Sequence, residues 1–107
     1  MRWYVRFMQA MPEHNPLVFS VDECLDAKAG NRIRKAPDRL RRALRREAVV
    51  DLRATRSATS EGWGALVASV RAMDWAGNAV TVLMHSGLRV LAELSGLRRH
   101  ARVVVFD

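Results

Sequence analysis

The sequence predicts an α/β fold: a mixed sheet of four to five strands with interleaved helices, entered through an N-terminal antiparallel hairpin. Three observations carry this expectation. Short apolar runs at 48–52 and 79–84 read as strands buried on both faces of a sheet. The stretches that follow them are apolar at a period of 3.6 residues, as helices with one buried stripe are. The two classes alternate, and alternation of this kind demands parallel strands joined by right-handed helical crossovers.

Each element has its own local reason. Trp3 to Met8 alternates bulky residues with Arg2 and Arg6 and reads as a strand, Pro12 to Pro16 makes a turn, and Leu17 to Val21 returns as the second arm of the hairpin. Asp26 is an N-cap candidate for a helix starting near Ala27, with Ile33, Leu40 and Leu44 at roughly helical spacing. Pro37 interrupts that pattern, because proline removes one helical hydrogen bond and clashes with the preceding turn. A kink is expected, or two short helices with Pro37 in the first turn of the second. Arginines 34, 41, 42, 45 and 46 fall mainly off the apolar stripe, toward solvent.

Ala48 to Leu52 follows as a strand. From Gly62 the residues Trp63, Leu66, Val67, Val70 and Met73 form one helical stripe, which Gly77 stops. Ala79 to Met84 is the next strand, and His85-Ser86-Gly87 turns the chain into a short helix carrying Leu88, Leu91 and Leu94. Ser95-Gly96 ends that helix, and Arg102 to Phe106 is the last strand.

With 107 residues, half of them hydrophobic, residues 1–107 are read as a single domain with one core. No apolar run is long enough to span a membrane, and the N-terminus lacks the pattern of a signal peptide. Cys24 is the only cysteine, which suits a reducing cytoplasm. The net charge of +7 is almost all arginine and is concentrated between Arg34 and Arg56. Such a patch can hold nucleic acid, an anionic membrane or an acidic protein, or be simply a solvated face.

Catalytic chemistry finds little support. His14, His85 and His100 have no carboxylate or cysteine at metal-ligand spacing. Cys24 sits beside Asp22 and Glu23, whose charge disfavours a thiolate, so a packed or inert role is expected. No phosphate-binding or dinucleotide-binding glycine pattern follows any strand, and the elbow that presents a nucleophilic serine is absent. The expectation is that the chain is not an enzyme and carries neither metal nor cofactor.

The informative stretch is Ala48 to Leu66, where a strand ending in Asp51-Leu52 leads through a polar segment to Thr59-Ser60-Glu61-Gly62 at a helix start. Hydroxyls there stand beside backbone N–H groups that favour negative charge. Either hydroxyl could be an ordinary N-cap. Trp63 could be an exposed aromatic anchor for a partner or part of the core stripe.

These residues carry a family likeness. Over about Leu17 to Phe106 the chain resembles the STAS domain of bacterial anti-sigma factor antagonists. Leu25-Asp26, with Ala29 following, looks like the opening of that family's first helix, and Val49-Val50-Asp51-Leu52 like its central strand. Ser60-Glu61-Gly62-Trp63-Gly64 falls where the family has Ser-Ser-Gly-Leu-Gly. Ala76-Gly77 and Leu94-Ser95-Gly96-Leu97 resemble its later turns.

The resemblance implies a non-enzymatic regulator of transcription that works by partner switching. The unmodified protein would bind an anti-sigma factor serine kinase in its ATP- or ADP-bound state, and phosphorylation would release it. It implies Ser60 as phosphoacceptor, with Thr59 the second candidate, and a partner surface of Asp26, Thr59, Ser60, Glu61, Gly62 and Trp63. Thr59, Glu61 and Trp63 depart from the family pattern. Members with altered acceptor segments include stressosome scaffold proteins and accessory subunits of lipid or anion transport complexes, which is the alternative role. The chain also stops at Asp107, where many members continue into a last helix, so one side of the sheet is expected to be less covered. No specific nucleic acid and no membrane insertion are implied.

Overall fold

The computed structural model describes residues 15–107. Within them a four-stranded sheet runs in the order β1 (Leu17–Ser20), β3 (Glu47–Leu52), β5 (Ala79–His85), β6 (Arg102–Phe106), and every neighbouring pair is parallel. A separate two-stranded parallel sheet joins β2 (Cys24–Leu25) to β4 (Ser57–Ala58). The helices are α1 (Ala27–Ile33), α2 (Ala36–Arg42), α3 (Ser60–Trp75) and α4 (Arg89–Ser95), with 3-10 turns at Ser86–Leu88 and Leu97–Arg99.

The strand order never reverses. Successive right-handed crossovers in one direction put all their helices on one face of the sheet. The core has that geometry: Phe19, Val50, Val82 and Val103 from the four strands pack in one cluster with Ile33, Leu40, Leu66 and Ala92 from the four helices. Alternation along the strands sends Val49 and Leu83 to the other face, where they are buried with Val104 and Phe106 packed against them. Ala48, Val49 and Val50 are therefore all buried, as the unbroken apolar run requires.

Several boundaries and environments differ from those expected. Leu17–Ser20 does form a strand, but it pairs in parallel with β3, residue Phe19 opposite Val50. The other arm of the expected antiparallel hairpin, Trp3 to Met8, lies outside the described residues, and so does His14. The helix expected from Gly62 begins at Ser60, because the Thr59 side chain rather than the glycine sets its start. In α4, Leu94 is exposed and Ala92 takes the inward position, since burial follows the 88–92 spacing. Cys24 is exposed rather than packed; Leu25, its neighbour on the alternate side of β2, is the buried residue.

Pro37 lies in the first turn of α2, where its missing N–H costs nothing, and the two short helices are joined through Arg34 and Lys35. The C-terminus of α2 closes with the N–H of Leu44 donating to the Arg41 carbonyl (3.2 Å) and that of Arg45 donating to the Leu40 carbonyl (3.0 Å). This closure needs a left-handed residue at position 44, and Leu44 has φ 55°. The left-handed residues after α3 and α4 are Gly77 (φ 89°) and Gly96 (φ 70°). A side chain in that conformation costs about 1 kcal/mol relative to glycine.

Candidate functional site

The two-stranded sheet is the base on which two helix starts are set side by side. β2 and β4 run parallel with Leu25 opposite Ala58, and each delivers the chain directly to an N-cap, Asp26 for α1 and Thr59 for α3. The Thr59 N–H donates to the Leu25 carbonyl at 3.0 Å, which ties the second cap to the first strand. The loop ahead of β4 is fixed as well. The buried Thr55 hydroxyl donates to the Asp22 carbonyl at 2.7 Å, and the Arg56 N–H donates to the Glu23 carbonyl at 2.8 Å.

Small residues let the helices approach. The Cβ that Gly62 lacks would lie 2.0 Å from the Leu25 carbonyl oxygen, and one built on Gly30 would lie 2.9 Å from the Ala65 Cβ. The C-terminal end of α1 is held in turn by the buried Ser69 hydroxyl of α3, which donates to the Ile33 carbonyl at 2.8 Å. Nothing lies within 4 Å of the position a Cβ would take on Gly64, so the second glycine of the Gly-Trp-Gly run is free of this constraint.

The amides of α3 separate the two hydroxyls. A helix start leaves four N–H groups without an intrahelical partner. Thr59 N–H is taken by Leu25, and Gly62 N–H donates to the Thr59 Oγ1 at 3.1 Å. Trp63 N–H makes the first intrahelical bond, to the Thr59 carbonyl at 2.9 Å. Those of Ser60 and Glu61 have no partner among the described residues. Thr59 is thus the cap, half-buried, with its oxygen engaged, whereas Ser60 is the first residue of the helix and exposed.

The other expected site residues divide by burial. Glu61 is exposed beside Ser60. Asp26 is half-buried and accepts from the Ala29 N–H at 2.9 Å, so its carboxylate caps α1. Gly62 and Trp63 are both buried, Gly62 at the helix contact and Trp63 in the core, which removes Trp63 as a surface anchor. The Trp63 indole N–H is buried and has no hydrogen-bond partner among the described residues. Burial of this tryptophan is consistent with its place on the Leu66, Val70, Met73 stripe.

At the carboxyl end of β3, Asp51 and Arg53 form a pair that spacing alone did not single out. Arg53 donates through its backbone N–H and Nε to Asp51 Oδ1 (both 3.0 Å) and through Nη2 to Oδ2 at 2.8 Å. Burial pushes the Asp51 carboxyl up, but the hydrogen bonds and charge of Arg53 more than reverse this and hold it below the usual carboxylate range. The signal was present as Asp-Leu-Arg, with alternate residues on one side of an extended chain.

His85 Nδ1 accepts from the Gly87 N–H at 3.1 Å, capping the turn that follows β5. His100 Nδ1 is 2.9 Å from Asp74 Oδ2, linking the end of α3 to the turn before β6. Among the described residues there is no group of three or more His, Cys, Asp and Glu side chains placed to hold a metal, and no helix long and apolar enough to cross a membrane. Comparison with protein-family models, with curated proteins and with solved structures gives no match.

Proposed function

We propose that this chain is a STAS-like regulatory module, an anti-sigma factor antagonist of the cytoplasm, whose α3 start is a phosphorylation-controlled docking surface for an anti-sigma factor serine kinase. The observation that carries the reading is the division of labour between the two hydroxyls. Thr59 is engaged in capping, and Ser60 stands exposed, its own amide and that of Glu61 having no partner among the described residues. A switch residue has to be reachable by a kinase and dispensable to the fold, and Ser60 meets both conditions.

The physical consequences of modification follow from that position. A phosphoserine carries about −1.5 to −2 charge near pH 7. The Ser60 and Glu61 amides and the positive end of the α3 dipole would accept that charge, so the fold would survive it. A partner surface that is acidic or apolar would be repelled. The docking surface in this reading centres on Ser60 and Glu61, with Asp26 at the neighbouring helix start. Gly62 and Trp63 act from below by fixing the position of α3.

The exposed Glu61 carboxylate supports the alternative role, a structural or accessory subunit of a stressosome or a lipid or anion transport complex, because it already places a fixed negative charge at the helix start. One experiment separates the two. The chain is incubated with the cognate kinase and ATP, and complex formation is measured in ADP for the wild type, Ser60→Ala and Ser60→Asp. Partner switching requires phosphate on Ser60, a complex with Ser60→Ala and its loss with Ser60→Asp. Absence of both phosphate and complex rejects it, and co-purification in a megadalton particle or with an ATPase selects the alternative.

A further inference from the structure

The end of the molecule opposite the α3 start has a composition that the partner-switching reading does not use. All four strands of the main sheet are parallel, so the connections entering β3, β5 and β6 gather at their amino-terminal edge. The Ala79 N–H donates to the Arg46 carbonyl at 2.9 Å, and Arg41 and Ala76 line one shallow groove, which brings the ends of α2 and α3 together there. Two large apolar side chains stand in solvent at this edge, Leu44 at 89% exposure and Trp75 at 69%. Leu44 lies among the exposed Arg41, Arg42 and Arg46, while the half-buried Arg45 donates through Nη1 to the Asn15 carbonyl at 3.0 Å.

Leu44 is the anomaly. Its left-handed position is one that the chain fills with glycine after α3 and α4, and its side chain gains no burial in return. Folding therefore gives no reason for leucine here. Strained residues that the fold does not need are a mark of functional sites.

We infer that this edge is a docking surface for an anionic lipid bilayer, with Leu44 and Trp75 entering the interface between headgroups and acyl chains and the surrounding arginines meeting the lipid phosphates. Tryptophan is favoured at that depth, and each arginine near an anionic surface adds to binding. The acidic side chains at the edge are already engaged: Asp38 pairs with Arg41 and, at 2.9 Å, with Arg42, while both arginines stay about four-fifths exposed. Asp74 Oδ2 is 2.9 Å from the His100 ring nitrogen, and Glu47, also engaged, is half-buried.

Nucleic acid fits the same arginines less well. A solvent-exposed leucine contributes nothing to a phosphodiester backbone. The inference is independent of the Ser60 proposal.

The test is sedimentation of the full chain with phosphatidylcholine vesicles, with and without phosphatidylglycerol, at about 0.1 M salt, where surface charge acts over about 10 Å. Wild type is expected to prefer the anionic vesicles by at least about tenfold. Leu44→Gly suits the left-handed position and should keep or raise the melting temperature while weakening vesicle binding about fivefold. Leu44→Asn, which also tolerates that conformation, is the second variant and should behave alike. Arg42→Gln with Arg46→Gln should weaken binding about tenfold or more, and Ser60→Asp, at the far end, should leave it unchanged. Equal binding to neutral vesicles, full binding by folded Leu44→Gly and Leu44→Asn, or tighter binding to an oligonucleotide that Leu44→Gly does not alter would each overturn the inference.

Discussion

Gly62 and Leu25 meet so closely that the absent Cβ of the glycine would sit 2.0 Å from the leucine carbonyl oxygen and 2.8 Å from that of Asp26. Both obstacles are backbone, held by the β2–β4 pairing and by the hydrogen bond from Thr59 to Leu25, so neither can swing aside. Gly62→Ala should therefore separate α1 from α3 and destabilise the fold by about 3 kcal/mol or more, above the usual range for overpacking. Gly64→Ala, two residues on in open space, should stabilise it by about 0.5–1 kcal/mol through helix propensity. Chemical denaturation of the two variants measures the contrast, and equal effects would remove the close contact as the reason for glycine at position 62.

The two adjacent hydroxyls should respond to alanine in different ways. Thr59→Ala leaves the Gly62 N–H without its side-chain acceptor and should cost about 1 kcal/mol. Ser60→Ala, at an exposed first helical position, should change stability by less than about 0.5 kcal/mol. Thermal melts read this directly. A larger loss at Ser60 than at Thr59 would mean that the cap lies one residue later and that Ser60 is structural.

How much of this could be read from the chain depends on which physical signal each residue carries. The buried strands 48–52 and 79–84, the break at Pro37 and the stripe from Trp63 to Met73 follow from local periodicity and backbone chemistry, and the structure has each of them. The pairs β2 and β4 escaped because two residues are too few to show any period; only tertiary pairing defines them. The same limit applied to the hydroxyls: Thr59 and Ser60 are equal as caps in sequence, and the Thr59 to Leu25 hydrogen bond across 34 positions decides between them. Leu44 looked like a stripe residue at helical spacing from Leu40, yet the helix closes at Arg42 and turns it outward. Spacing reports a helix face only while the helix lasts.

Acid should expose the contribution of the Asp51–Arg53 pair. The Asp51 carboxyl is held below its ordinary value in the folded protein, chiefly by Arg53 acting against the opposing effect of burial. In the unfolded chain it returns to about 3.9. A depressed folded value means that the unfolded state binds the proton first. The stabilisation is thus complete above about pH 4–5 and is lost as the pH falls through the folded value. Asp51→Asn gives up the ion pair and should lower stability at pH 7 by about 1–3 kcal/mol, as expected for hydrogen bonds to a charged group. It should also flatten this part of the acid limb, so that the gap between wild type and variant narrows as the pH falls through the unfolded and then the folded value. Denaturant unfolding of both proteins from pH 7 to pH 2.5 checks the sign. A gap between them that stays constant over that range would show that Asp51 stabilises β3 through its shape rather than its charge.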